Sequence, residues 1–254
     1  MSEPKPLTWA VLGAWLSSHS RPYWIFDLDG TLIDLAARPD AVSVSPRLIA
    51  SLERLNLLFE GRVAIISGRA LADLESLLPL ALTLVGNHGA EFRHRGARWE
   101  VPQEERVREA LDDVRPPLRD LESKWRGSFL EDKGPSISFH VRGLKASEAD
   151  ACVLELQRLM ERRTVLRLHP GQACWEIRPG QGPDKGQALE VLLASEANAQ
   201  PLVFGDDVTD EDAFRAAALH QSLTVIVGPR RPTLAERSLG QPRDLRDLLD
   251  RLTS

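Results

Sequence analysis

The chain has 254 residues, 43% of them apolar and 27% charged, with a formal net charge of −5. That length and apolar share suffice for one large domain or two modest ones, and the acidic balance excludes a protein built to grip a nucleic-acid backbone, which needs a basic face. Cys152 and Cys174 match no zinc or CxxC spacing and fit a reducing cytoplasm, while a pairing between them stays open on sequence alone.

The N-terminal stretch MSEPKPLTWAVLGAWLSSHS has a short apolar patch but a poor basic region and no long apolar run. It reads as a leading amphipathic helix, with Trp9 and Trp15 as packing residues, rather than a signal peptide or membrane span. Strand Tyr23–Phe26 then runs straight into Asp27, and a loop leads to Pro46. A helix follows through PRLIASLERLNLLF, with Pro46 suited to its first turn. RVAIISGR contains a continuous apolar run of the kind buried on both faces of a parallel sheet. Helix ALADLESLL and strand LTLVGNHG come next. This alternation predicts a doubly wound α/β sheet.

The rhythm changes near residue 90. AEFRHRGARWEV reads as a hairpin around Arg95-Gly96, followed by a charged helix from about Gln103 to Lys124. Strands GSFLED and SISFHVRG, helix SEADACVLELQRLMER, and strands TVLRLH and ACWEIRP complete an α-β-β-α-β-β unit. It is an antiparallel α+β insertion of about 75 residues, enough for a small domain, with Gly180, Gly182 and Pro183 marking its exit. Helix DKGQALEVLLAS, strand PLVFGDD, helix TDEDAFRAAA, strand LTVIVG and a final amphipathic helix RDLRDLLDRL resume the alternation. Residues 1–100 and 181–254 thus form one domain, mainly a parallel sheet, and residues 101–180 an inserted one. A small ligand is expected in a cleft between them, at the carboxyl ends of the core strands.

Four short motifs stand where core strands end or the next helices begin. In DLDGT, Asp27 and Asp29 are two positions apart, so strand alternation points them the same way. Paired oxygens suit a hard divalent ion, and one carboxylate could attack phosphorus while the other moves protons. A surface turn is the competing explanation. In IISGR, Ser67 and the N–H groups of a helix start form a phosphate cradle, or Ser67 is an ordinary N-cap. Lys185 of GPDKGQAL opposes a helix dipole, which a nearby anion would explain; an exposed lysine is the alternative. GDDVTDEDAF crowds Asp206, Asp207, Asp210, Glu211 and Asp212 together, costly charges unless solvated or bound to a cation. Asp206 and Asp207 are nearest the strand end and read as the better ligands, with Glu211 and Asp212 assigned mainly to an acid-rich first turn. Together the four supply a nucleophile, an acid/base, a metal seat and a phosphate clamp, the parts of phosphoryl transfer.

The order DLDGT, SGR, Lys185, GDD resembles the haloacid dehalogenase (HAD) superfamily of phosphotransferases, in members with a cap between the second and third motifs. Over residues 22 to 230 the chain resembles the trehalose-6-phosphate phosphatase family, on ISGR, GNHGAE, LEDKGPSISFHVR, WEIRP…DKG and GDDVTDEDAF. The resemblance implies a Rossmann-like core and a cap that sets specificity. It implies Asp27 as nucleophile, forming an aspartyl-phosphate, and Asp29 as acid and then base. It implies Mg2+ held by Asp27, the carbonyl of Asp29 and Asp206, with Asp207 or Asp210 in support. Ser67 and Lys185, helped by Arg69, would hold the phosphoryl oxygens. In the cap, Glu131, Lys133 and Glu176 would grip sugar hydroxyls, with His140, Arg142 and His88 as further candidates. Leu28 stands where the family often has an aromatic residue, as in DYDGT.

The expected protein is a monomeric, cytoplasmic phosphatase of trehalose biosynthesis, acting on a small sugar phosphate with no nucleic-acid or membrane partner. Its rivals are another capped HAD phosphatase (for sucrose phosphate, mannosyl-phosphoglycerate or a hexose phosphate), a phospho-acceptor regulatory module, and a silent sugar-phosphate binder. For the cap candidates, the competing roles are an exposed lysine in a Lys133-Gly134 turn, solvent-facing strand glutamates and a packed His140.

Overall fold

A computed structural model describes residues 3–36, 41–171, 174–229 and 231–254. Part of the expected loop before Pro46 and the first residue of the expected strand ACWEIRP, Ala173, lie outside the described residues. The chain divides into two compact units, Met1–Glu100 with Pro183–Ser254, and Val101–Gly182.

The first unit is built on a nine-stranded sheet. Its centre is β2 (Pro22–Phe26), every residue of which is buried, as expected of a parallel strand covered on both faces. Beside it lie β3 (Val63–Ile66) and β4 (Thr83–Gly86) on one side, and β11 (Gln200–Gly205) and β12 (Leu223–Val227) on the other, all parallel. Trp24, Phe26 and Phe204 stack across the central pair, with centroids 5.1 Å apart for Phe26 and Phe204. The hairpin β5 (Glu91–His94) and β6 (Ala97–Glu100) extends this sheet antiparallel to β4. The opposite edge holds two short strands that the sequence pattern does not announce, β1 (Lys5–Pro6) and β13 (Arg237–Leu239). The leading helix therefore starts only at Trp9: α1 spans Trp9–Ser18, capped by the Thr8 hydroxyl.

Helices cover both faces. α2 (Pro46–Leu58) has Pro46 in its first turn and the Ser45 hydroxyl as N-cap acceptor, and it buries Leu48, Leu52 and Leu55. With α8 (Pro242–Thr253), through Leu245 and Leu249, it packs on the face lined by Trp24, Phe26 and Phe204. α6 (Lys185–Ala194) and α7 (Asp210–Ala217) bury Leu189, Leu192 and Phe214 against Ile25, Ile66 and Val203 on the other. This is the doubly wound arrangement expected from the alternation.

The second unit is a four-stranded antiparallel sheet in the order β7 (Phe129–Asp132), β8 (Ile137–His140), β10 (Cys174–Pro179), β9 (Leu166–Gly171). Helices α4 (Glu105–Lys124) and α5 (Ala146–Met160) cover one face of it. Strand alternation explains this one-sidedness. Leu130, Ile137, Phe139, Ile177 and Leu166 pack with Leu111, Leu118 and Leu156 of the helices. Their neighbours along each strand, Glu131, Ser138, His140, Glu176 and His169, belong to the other face. Cys152 and Cys174 are free thiols, and no described helix is long and apolar enough to cross a membrane.

Candidate active site

Asp27 leaves β2 with its N–H still bonded to the Phe204 carbonyl at 2.9 Å, so the nucleophile candidate is fixed by the sheet ladder itself. The chain then turns through Gly30 at φ +85°, a left-handed conformation that glycine adopts without strain. A Cβ there would fall 2.2 Å from Asp206 Oδ2, so glycine also lets this carboxylate approach. Thr31 Oγ1 donates to Asp206 Oδ1 at 3.2 Å. Lys185, first residue of α6, is 3% exposed and donates to Asp27 Oδ1 and Asp210 Oδ1, both at 2.7 Å. The alternative of an exposed lysine is therefore excluded, and the anions that offset its position on the helix dipole are carboxylates of the chain itself. Asp210 Oδ2 accepts the N–H groups of Asp206 and Asp207 at 2.9 and 3.0 Å.

Carboxylate oxygens of Asp27, Asp206 and Asp210 lie within 4.8 Å of one another. Burial, then repulsion from Asp210 and Asp206 against the pull of Lys185, holds the Asp27 carboxyl well above its usual range. Burial and the Asp210 charge push Asp206 up to about 7. Burial works against the Lys185 charge, yet Asp210 and Asp27 outweigh it and raise its pKa. When all are ionised, three carboxylates face one ammonium and leave two negative charges. An all-oxygen set with that surplus fits a hard divalent cation. One expected metal residue, Asp207, has its side chain elsewhere, and Asp29, expected through its backbone carbonyl, turns its carboxylate to another partner. Asp207 turns its Oδ1 to the Val208 N–H at 2.7 Å, because the turn leads it away from the trio. Asp29 is held in a two-pronged pair by Arg69, Nε to Oδ2 at 2.6 Å and a terminal nitrogen to Oδ1 at 2.7 Å. Asp210, ranked behind Asp207 by closeness to the strand end, is the one in the cluster.

Ser67 is buried at the end of β3. Its hydroxyl accepts the Arg69 N–H at 3.2 Å, and helix α3 (Leu71–Leu77) takes Ala70 as its N-cap, so Ser67 is not the helix cap. His88 is buried in a short 3-10 turn with φ +56°, its ring so near Gly68 that a Cβ there would lie 2.6 Å from Nε2. Glu91 braces this corner by accepting from Leu71 N–H at 2.9 Å and Asn87 Nδ2 at 2.6 Å.

In the second unit the polar sheet face gathers several expected residues. Glu131 and Glu176 flank Ser138 in register. His140 Nε2 meets Glu131 Oε2 at 2.9 Å, Lys133 Nζ lies 3.5 Å from Glu176 Oε1 and 4.0 Å from Glu131 Oε2, and Arg178 Nε is 3.5 Å from Glu176 Oε2. Lys133 does sit at a hairpin turn, with Gly134 at φ +80°, but its side chain is tucked back among the glutamates. Arg142 falls two residues beyond the end of β8, exposed on a turn. The sequence pattern does not single out Thr31, Glu91 or Arg231 as site residues. Thr31 stands inside the quoted DLDGT motif and Glu91 inside GNHGAE, while Arg231, in an irregular loop, has no periodic or motif signal.

Three comparisons bear on this geometry. The trehalose-phosphatase family model matches residues 25–239. A Sinorhizobium fredii protein named "Probable trehalose-phosphate phosphatase" is 35% identical over 84% of this chain and 80% of its own length. The Escherichia coli "Trehalose-6-phosphate phosphatase" is 30% identical over 91% of this chain and 86% of its own. In fold, the C-terminal domain of C. albicans trehalose-6-phosphate phosphatase superposes with a TM-score of 0.84 at 24% identity, covering 99% of this chain and 98% of that one. The chain belongs to the trehalose-phosphatase family and has its HAD-like fold.

Proposed function

We propose that this chain hydrolyses trehalose 6-phosphate to trehalose and phosphate through an aspartyl-phosphate on Asp27. The observation that carries the chemistry is the buried Asp27–Lys185–Asp210 network with Asp206 beside it, in a chain of this family. Asp27 attacks phosphorus, and the P–O bond to the sugar breaks. Asp29 gives a proton to the leaving sugar oxygen and then takes one from the water that cleaves the acyl phosphate. The Arg69 fork orients Asp29 in its ionised form, the one that acts as base, and a prong must yield when Asp29 carries the proton for the leaving oxygen. Arg69, expected on phosphoryl oxygens, is thus engaged with Asp29. Lys185 holds Asp27 in place and offsets phosphoryl charge, while the Ser67 hydroxyl donates to a phosphoryl oxygen. Asp27, Asp206 and Asp210 are the residues that would hold Mg2+. A bound divalent ion supplies Lewis-acid stabilisation of the charge on the phosphoryl group.

Glu131, Lys133 and Glu176 supply acceptors and a donor for sugar hydroxyls, with His140 supporting Glu131. The reading is completed by a monomer in the cytoplasm with a small sugar phosphate as its substrate. The deciding experiment is phosphate release, with and without magnesium, from trehalose 6-phosphate, sucrose 6-phosphate, glucose 6-phosphate, a mannosyl-phosphoglycerate and p-nitrophenyl phosphate. Magnesium-dependent turnover that favours trehalose 6-phosphate supports the whole reading. Preference for another sugar phosphate keeps the core chemistry and overturns the roles given to Glu131, Lys133 and Glu176. No release from any of them sinks the phosphatase reading.

A further inference from the structure

We propose that Arg231 is a positioning residue that holds Asp206 where a divalent metal needs it, an inference that rests on the phosphatase reading above. Arg231 lies in the loop between β12 and β13. Its Nε donates to the Asp206 carbonyl at 3.1 Å, and one terminal nitrogen donates to the Asp207 carbonyl at 2.6 Å. The other terminal nitrogen meets Glu211 Oε1 at 2.6 Å and the Pro232 carbonyl at 3.1 Å. Glu211 Oε2 closes the arrangement by accepting the Leu234 N–H at 2.7 Å. One planar guanidinium thus ties the acidic turn to the first turn of α7 and to its own loop. Glu211 is part of that brace, beyond being an acid near a helix start.

Asp206 and Asp207 are held from both sides. Their N–H groups go to Asp210 Oδ2, and their carbonyls go to Arg231. This matters most for Asp206. Lys185 bonds directly to the carboxylates of Asp27 and Asp210, whereas the Asp206 carboxylate takes its hydrogen bond from the Thr31 hydroxyl. The backbone bonds therefore carry much of its placement. Arginine suits the task because a rigid fork of donors can serve two carbonyls and a carboxylate together, which a lysine ammonium cannot span. Groups that orient metal ligands from behind typically cost 10–100-fold in metal affinity, on the order of magnitude, when removed.

The test is magnesium binding by titration calorimetry without substrate, alongside kcat and KM at saturating magnesium. Arg231→Ala is expected to weaken magnesium by about 10–100-fold. At saturating magnesium, its kcat should recover to within about threefold and its KM for trehalose 6-phosphate should stay within about twofold, since the brace acts through the metal. Arg231→Lys should retain only part of the affinity, and Glu211→Gln should show a smaller loss of the same kind. Both conservative variants keep the test open if the alanine variant folds poorly. If Arg231→Ala binds magnesium as the parent does, with or without a lower Tm, the positioning role is overturned. If the parent itself turns over substrate with magnesium and only the variants are indifferent, this inference alone fails. If the parent binds no magnesium at all, the inference fails together with the reading beneath it.

Discussion

Two polar clusters, one in each unit, are built to different tolerances around their lysines. In the core, Lys185 meets Asp27 and Asp210 at 2.7 Å, with all three side chains nearly sealed from solvent. On the polar face of the second sheet, Lys133 stands 3.5 and 4.0 Å from its two glutamates, and Arg178 stands 3.5 Å from Glu176. Buried charges at hydrogen-bond distance have nowhere else to go, and their geometry persists because breaking it strands a charge. The pairs at longer range are also largely buried, but without a close hydrogen bond they hold each other less tightly and cost less to rearrange. The first arrangement suits bond making, where the attacking atom must be fixed. The second suits recognition, where groups exchange partners with a ligand.

That contrast predicts that core substitutions act on every substrate alike. Asp27→Asn removes the attacking carboxylate while preserving shape, and turnover should fall by at least about 1000-fold on trehalose 6-phosphate and p-nitrophenyl phosphate alike. Circular dichroism should show a folded protein. Retention of more than about a tenth of the activity would remove Asp27 from the role of nucleophile.

Lys185→Ala should be the most damaging to stability, because it leaves three neighbouring carboxylates without their ammonium. Breaking a buried pair in this way costs about 3–5 kcal/mol, readable in metal-free urea denaturation. Magnesium should restore more stability to this variant than to the parent, since it supplies the missing positive charge. A loss below about 1 kcal/mol, within the range of an exposed pair, would contradict the sealed network.

Acid tests the same surplus charge. Asp206 is raised from 3.8 to about 7 by burial and by Asp210, and Asp27 is raised too. A carboxyl raised in the folded state keeps a proton that the unfolded chain has released. Between about pH 4 and pH 7 the folded state therefore binds more protons, and these groups make metal-free stability fall as pH rises. Magnesium must displace those protons, so its affinity should rise with pH up to about 7, by as much as tenfold per unit for a single displaced proton. Calorimetry at pH 5.5 and 7.5 checks this, and equal affinities would detach Asp206 from the metal.

Much of the core was legible because its signals are local. The run into Asp27, the GDD after β11 and the Pro46 start of α2 each announce themselves within a few residues. What stayed hidden depends on contacts across the fold. Lys185 reaches Asp27 from 158 positions away, so its helix-start position showed only that an anion belonged nearby. Asp207 is nearer the strand end than Asp210, yet the turn reverses their parts: the Asp207 carboxylate caps Val208, while Asp210 swings back under the loop. The edge strands β1 and β13 are two and three residues long, too short for any alternation to show. In the second unit, strand alternation correctly separates Glu131 and Glu176 from the apolar face, but proximity to Lys133 and Arg178 appears only once the register is known.

The sharpest test of the comparison is its smallest effect. Glu176→Gln keeps the side chain's size and its capacity to accept one hydrogen bond, but removes the charge that faces Lys133 and Arg178. Exchanging a charge-assisted hydrogen bond for a neutral one loses on the order of 1.5 kcal/mol, so KM for trehalose 6-phosphate should rise about tenfold. The kcat should change by less than about threefold, because the substitution touches no reacting atom. p-Nitrophenyl phosphate carries no sugar and should be processed as before. Selectivity between the two substrates decides the matter. An equal loss on both would mean that Glu176 serves the stability of its sheet. No loss on either would mean that its pairs with Lys133 and Arg178 serve neither recognition nor the sheet. A loss confined to the disaccharide phosphate would show that the looser cluster acts in recognition of the sugar, apart from the core network that handles the phosphoryl group.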